Sequence, residues 1–456
     1  MAETEMKKAQ AIEQSSAQLQ EQGKDVSKML SQFGGFNAIR GFMPDADNMN
    51  PSRKAQKEVF LKDKRFENKR EGLKREISRW IELLDQEGIE GATGYADACK
   101  QEEDKYTAVL KQGITEALYA TQDLERSYRE LDSFFKNCGT DKVKNLRIIN
   151  VHKEDIADPD SGFAQKVEDI LRDGFDRLSL KDAYSLVCIP GAVLNEKVKL
   201  LQWAKMAFKY KVMLLTDHAD EYNFDNLQAN TEGYRDSDQE LMNVVMCANW
   251  IVGREAEKLS SNEEETKAFY IAPSAALCGK LYNESANMAQ AAGGKKYGTL
   301  DGVKGVEIDL LKSEIASLWD NQVIPMVYSD GRVMAYNNNT LYNGDLDAMK
   351  EYQIVRVFDW VKKVLMNYVH DVVLEGWDPY NSPKNLKAKI QDFLNQYKGY
   401  GKLFKDYEIK EPRQDPRTKQ ITCDITLAPF YAAKNFIIKV AADNKDKVAS
   451  LEQEQN

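Results

Sequence analysis

The chain has 456 residues, 42% of them hydrophobic and 10% aromatic, enough to build cores for two or three domains. No apolar run reaches the roughly 18 residues that a membrane-spanning helix needs, and a net charge of -10 argues against general affinity for nucleic acid or an anionic membrane. The six cysteines (Cys99, Cys138, Cys188, Cys247, Cys278 and Cys423) are scattered, with no CxxC pair, and read as buried thiols rather than disulfides or zinc ligands.

The opening MAETEMKKAQAIEQSS lacks the apolar stretch of a signal peptide, which places the expected protein in the cytoplasm. Within residues 1–35 only Val26, Met29, Leu30 and Phe33 form a helical stripe, preceded by Asp25 at an N-cap position. That short amphipathic helix either packs on its own domain or docks on a partner. The Gly, Pro and Asn content of residues 34–51 marks a connector.

Between Arg53 and Arg79 eleven basic and five acidic residues are interleaved, with Leu73, Ile77, Trp80, Ile81 and Leu84 at helical spacing. Mixed signs along a helix point to a solvated, salt-bridged face rather than a nucleic-acid site. A second helix is expected from about Gln101 to Phe135. The pattern then changes. LRIINV (146–151), YSLVCIP (184–190) and KVMLLT (211–216) are short, apolar, β-branched runs, with the helical NEKVKLLQWAKMAFKY between the last two. Such alternation predicts a mixed α/β layer with at least partly parallel strands.

Two stretches resemble catalytic motifs. In TDHAD (216–220) Asp217, His218 and Asp220 follow a strand end, where they could bind a divalent metal or supply a base for a cytosolic metal-dependent hydrolase. Only His152 and His370 exist elsewhere, neither at ligand spacing, so a polar strand-end turn is the simpler reading. GGKKYGT (293–299) has glycines at phosphate-loop spacing, but Thr299 stands where the lysine must follow, so a flexible surface loop is expected. No cofactor and no catalysis are expected. At the end of the chain Ile421, Cys423, Ile425 and Leu427 alternate with polar residues, Pro429 interrupts, and Phe436, Ile438 and Val440 resume the alternation before a charged tail. These strands either close the chain's own sheet or join another chain.

Several stretches, in order, resemble contractile phage tail sheath proteins. FYIAPSAALCGKLYN (269–283) resembles their strand, Pro-Ser turn and helix start. VIPMVYSDGRVMAYNNNTL (323–341) resembles their hairpin, with Asn337 to Asn339 replacing the usual turn residues. YQIVRVFDWVKKVLMNYV (352–369) resembles their long helix, with Arg356 kept and Val357 in place of a second arginine. NLKAKIQDFLNQYKGYGKLFKDYEI (385–409) and ITLAPFYAAKNFIIKV resemble the late helix and the terminal strands. With ERSYRELDSFFKNCGTDKVKNLRIINVHKEDI (125–156), the chain is most similar to the large sheath subunit of type VI secretion systems, the TssC/VipB family. Tyr128 stands in place of a Trp and a Leu-Pro-Arg-Phe-rich segment is missing, which marks a divergent branch.

The resemblance implies a mixed α+β tail-sheath fold with a helical N-terminal region and terminal strand arms. The expected divisions are 1–50 (arm and connector), 51–140 (helical region), 141–410 (sheath core) and 411–456 (strand arm and tail). It further implies a bacterial structural subunit that polymerises around an inner tube and contracts. The partners would be a small sheath subunit, inner-tube hexamers, a baseplate and an AAA+ unfoldase, with self-assembly into stacked six-fold rings, and with neither nucleic acid nor membrane insertion. The terminal strands would supply the inter-subunit arm, by β-augmentation. Lys384, Lys387, Lys389, Lys398 and Lys402, on a helix from Pro383 to about Phe404, would face the tube, and the helix bearing Leu30 would be an unfoldase handle.

Overall fold

The structure, a computed structural model, describes residues 59–84, 91–139, 143, 145–158, 161–177, 183–256, 267–283, 293–370, 376–433, 436–444 and 447–455. It divides into two compact units, residues 1–121 and 122–456. In the first, α1 (Glu67–Leu84) and α2 (Gly91–Ala120) are joined by the Arg79 guanidinium, 4.5 Å from the ring centroid of Tyr106. Of the expected α1 stripe, Ile81 is buried and Leu73 remains exposed.

The second unit begins with α3 (Gln122–Cys138). Sequence periodicity gives one helix over 101–135, but the chain instead breaks at Thr121, whose N–H and hydroxyl both donate to the Ala117 carbonyl, at 3.0 and 2.7 Å. Phe134 and Cys138 of α3 are buried in the core of this unit, so α3 belongs with the core rather than with a helical region extending to 140.

After α3 come α4 (Lys153–Ala157), α5 (Phe163–Phe175), β1 (Leu186–Ile189), α6 (Lys197–Tyr210), β2 (Met213–Asp217), α7 (Phe224–Thr231), β3 (Val244–Ala248), β4 (Ile251–Arg254) and β5 (Phe269–Ile271). There follow α8 (Ser274–Asn283), α9 (Lys312–Asp320), β6 (Ile324–Ser329), β7 (Arg332–Ala335), α10 (Tyr352–His370) and α11 (Ser382–Asn395). The chain closes with β8 (Asp406–Ile409), β9 (Arg413–Gln414), β10 (Ile421–Thr422), β11 (Ile425–Ala428), β12 (Phe436–Asn444) and β13 (Lys447–Gln455).

The main sheet has the order β1-β2-β3-β6-β7, parallel through β6, with Leu186 opposite Met213, Leu214 opposite Val244 and Cys247 opposite Ile324. Strands β2 and β3 are buried along their whole length, which is why they read as continuous apolar runs. The β6–β7 hairpin turns on Asp330 and Gly331, both at positive φ, as a two-residue turn requires. Helix α8 crosses α3 at Gly279, where a Cβ would stand 2.3 Å from the Phe134 carbonyl oxygen. Only glycine permits that approach.

LRIINV forms no strand. Leu146, Ile148 and Ile149 are exposed, and among the described residues no strand pairs with them. GGKKYGT is not a free loop either. It lies along β7, with the Gly294 N–H donating to the Ala335 carbonyl at 2.7 Å and no room for a Cβ at Gly293 or Gly298.

A second core gathers Val357, Val361 and Leu365 of α10 with Leu386, Ile390 and Leu394 of α11, Phe404 and Ile409. The first turn of α10, with Tyr352 and Val355, lies in the main core, so this one helix spans both.

Candidate functional site

At the carboxyl ends of β1–β3, Asp217 is fully buried. It accepts hydrogen bonds from the Gly191 N–H (2.9 Å), the Ser274 N–H (2.8 Å) and the Ser274 hydroxyl (2.5 Å). The Ser274 hydroxyl therefore donates to Asp217, whose carboxylate stands at the start of α8. Burial pushes the Asp217 carboxyl up to about 7 against those three hydrogen bonds. Glu130, on α3, is raised to about 8 by burial and by the nearby Asp217.

His218 is buried too, edge-on to the Tyr234 ring at 5.7 Å, with Nδ1 3.1 Å from the Ala219 carbonyl, and burial lowers its pKa. Asp217 and His218 of TDHAD therefore each have structural partners in the chain. Among the described residues no three His, Cys, Asp or Glu side chains are grouped as a metal site.

The C-terminal region is built differently. Strand β11 pairs antiparallel with β8, Ile425 opposite Ile409 and Leu427 opposite Tyr407, while Cys423, Ile425 and Leu427 pack on the second core. Ile421 lies in β10, paired with Gln414 of β9. Both small sheets have two strands, so among the described residues each strand keeps one unpaired edge.

Beyond Ala428 the Phe430 and Tyr431 rings lie 5.7 and 5.9 Å from Lys405 Nζ, and a backbone hydrogen bond follows. The Ala432 N–H donates to Glu351 Oε2 at 3.2 Å. The same buried carboxylate accepts from Asn338 Nδ2 at 2.9 Å and from Gln353 Nε2. Asn337 Nδ2 donates to the Val323 carbonyl at 2.9 Å and Asn339 Nδ2 to the Trp319 carbonyl at 3.2 Å. The Asn337–Asn339 run is thus a buried hydrogen-bonding strip between α9, β6 and α10, with Asn338 and Glu351 rooting the terminal arm. Past that root, β12 and β13 form a hairpin, Phe436 opposite Gln455 and Val440 opposite Leu451.

Three family profiles match in succession: the TssC/VipB-like N-terminal region over residues 23–114, the type VI secretion system TssC/VipB central domain over 116–343, and the TssC/VipB-like C-terminal domain over 351–456. The chain belongs to the TssC/VipB family. It is a contractile-sheath subunit of the type VI secretion kind. Curated proteins give no match. Among solved structures it is similar to a chain in the baseplate of the anti-feeding prophage (15% identity, 69% of this chain and 80% of that one, TM-score 0.47). It is also similar to a chain of the contracted PVC sheath complex of an extracellular contractile injection system (13%, 54% and 69%, 0.41). A third is the sheath tail protein of Desulfitobacterium hafniense (11%, 64% and 59%, 0.37).

The residues singled out for a TssC/VipB subunit fall in three places. Val26, Met29, Leu30 and Phe33 lie outside the described residues. The strand residues Ile421, Thr422 and Ile425 to Leu427 pair within their own chain, one of the two alternatives the sequence left open; the open edges of their ladders and the hairpin holding Phe436, Ile438 and Val440 remain available among the described residues. What had read as a charged tail is the strand β13.

The expected lysine helix is shorter than its sequence pattern. Helix α11 ends at Asn395, and Gly399 and Gly401 then take positive φ, so Lys398 and Lys402 stand on turns. Lys398 is paired with Asp406 at 2.6 Å and lies 5.3 Å from the Tyr407 ring. Lys384 and Lys389 are exposed on α11 and Lys387 is half-buried, while Leu386, Ile390 and Leu394 face inward.

Proposed function

We propose that this sheath subunit is a non-catalytic, cytoplasmic lattice component that works by two alternative packings of its copies, an extended one and a more extensively bonded contracted one. The observation that carries this reading is the strand-bearing C-terminus. Short ladders with open edges and a hairpin rooted at Glu351 are the parts that β-augmentation between protomers needs. Repeated head-to-tail contacts of this kind give a filament rather than a closed dimer.

The α11 lysines Lys384, Lys387 and Lys389 are the residues proposed to face an acidic inner tube of stacked hexamers. They are a cationic group in a chain of net charge -10, placed to register a charged surface without burying charge. A small sheath subunit, a baseplate, six-fold ring stacking and an AAA+ unfoldase that takes hold near Leu30 complete the proposed assembly. No described helix is long and apolar enough to cross a membrane.

Electron microscopy of the chain co-expressed with a small sheath subunit and tube protein tests the reading. Hollow sheaths of regular pitch are expected. Soluble, unassembled chain under conditions where both partners are present would contradict it.

A further inference from the structure

The two apolar cores meet at a joint that is not apolar. Helix α10 supplies Tyr352 and Val355 to the main core and, from its opposite face, Val357, Val361 and Leu365 to the second. Along the main-core face the helical spacing runs Tyr352, Val355, Asp359, Lys363, so two apolar positions are followed by two charged ones. Lys363 is buried all the same. Its Nζ donates to the Tyr184 carbonyl at 2.7 Å. Asp359 Oδ2 accepts from Asn243 Nδ2 at 2.6 Å, and that amide also lies 3.1 Å from the Val212 carbonyl. Tyr184, Val212 and Asn243 stand just before β1, β2 and β3, so polar groups fasten α10 across the amino-terminal edge of the parallel sheet.

The charged groups at this joint are Asp359, Lys362 and Lys363 of α10 and Lys211, which closes α6 in the left-handed conformation. A buried ion pair contributes little net stability, because desolvation offsets most of the attraction, and both partners regain water once they separate. Apolar packing inside each core carries no such offset. The joint is therefore the weakest seam in this unit. Burial lowers the Lys363 ammonium from its ordinary 10.5 to about 8, against the attraction of Asp359, and burial raises the Asp359 carboxyl.

We propose that the second core, α10 from Val357 onward with α11, β8 and β11, opens as a cooperative unit of its own while the main sheet stays folded, and that Asp359 and Lys363 are the latch that sets how often it does so. Tyr352 and Val355 stay in the main core, so the first turn of α10 tethers the open unit. Proton linkage gives the latch its sign. Lys363 titrates near 8 when the latch is closed and near 10.5 when it is solvated, so closure is favoured as pH rises between those values, by about tenfold from pH 7 to pH 9. Asp217 and Glu130 in the main sheet region are raised instead of lowered, so the two parts answer alkali in opposite directions.

Amide hydrogen exchange of the full chain at pH 7 and pH 9, corrected for intrinsic exchange rates, tests this without any variant. Amides of α10 from Val361 onward, α11, β8 and β11 are expected to share one level of protection, below that of β2 and β3, and to gain about tenfold between the two pH values while β2 and β3 gain nothing. Lys363→Met keeps the side-chain length, loses the charge and is expected to lack the gain. Equal protection of the second core and of β2 and β3 at both pH values would show one cooperative unit and overturn the proposal. A gain confined to α10, with α11 and β8 unchanged, would overturn it too, as would a gain that Lys363→Met retains. If Lys363→Met does not fold, the wild-type profile decides: a less protected second core that gains tenfold supports the latch, and one that gains nothing overturns it.

Discussion

The carboxyl ends of the main sheet and the C-terminal region use similar residue types to opposite ends. At Asp217 a carboxylate, a hydroxyl and backbone N–H groups are buried and saturated by one another, and His218 is packed against Tyr234. On α11 Lys384 and Lys389 face solvent, and among the described residues the strands β8–β13 keep open edges. Polar groups that the chain has already satisfied contribute to its own stability, whereas unsatisfied edges and cations are available to neighbours. A substitution in the first region should damage folding, and one in the second should damage assembly alone.

The largest expected effect is at Asp217. Asp217→Ala strands three buried donors and should cost about 3–5 kcal/mol, seen as a fall in Tm or as insoluble chain. An unchanged Tm would mean that the strand end is not saturated as described. Glu351→Ala should cost about 2–4 kcal/mol by releasing Asn338, Gln353 and Ala432 together, and should raise proteolytic cleavage after Ala428. Protection of that site in the variant would show that the arm is rooted elsewhere. Gly279→Ala should cost about 1–3 kcal/mol by forcing α8 from α3, measured by denaturant unfolding.

Proton linkage sharpens the contrast further. Asp217 titrates near 7 and Glu130 near 8 in the folded chain, both above ordinary carboxyl values, so the folded state holds protons that the unfolded chain has released. Stability is therefore expected to fall as pH rises from about 4, where the unfolded carboxyls ionise, to about 8, and the slope should be smaller in Asp217→Asn. His218, with its lowered pKa, acts in the opposite sense within the part of that window below its ordinary value of 6.5. A wild-type chain equally stable across it would contradict the buried-carboxylate picture. The smallest effect on stability belongs to Lys384→Glu with Lys389→Glu, within about 0.5 kcal/mol, although tube co-assembly should be lost and wild-type docking should weaken in salt. Co-assembly unchanged in that variant would return α11 to an ordinary solvated face.

Much of the fold was legible because local pattern and tertiary use agree. The short apolar runs of β1 and β2 meet the expectations set by residue pattern, and the β6–β7 hairpin meets the one that came with the family resemblance. The failures share a cause. LRIINV has strand chemistry but no described strand to pair with, and β13 has a charged sequence but a partner in β12, so pairing decided where propensity could not. Asn337–Asn339 looked like substituted turn residues because their acceptors, Glu351 and the Val323 and Trp319 carbonyls, come from other elements. The helix expected to reach Phe404 stops at Asn395, where the ladder tightens to the Gln396–Phe393 and Tyr397–Leu394 bonds, and the positive-φ Gly399 and Gly401 keep the following chain from resuming it.

The most direct test of the central claim is the chain ending at Ala433, examined by thermal unfolding and by electron microscopy with the small subunit and tube protein. The account predicts an unchanged Tm, because both cores lie upstream of the hairpin, and no sheath. Sheaths of normal length from that truncated chain would contradict it.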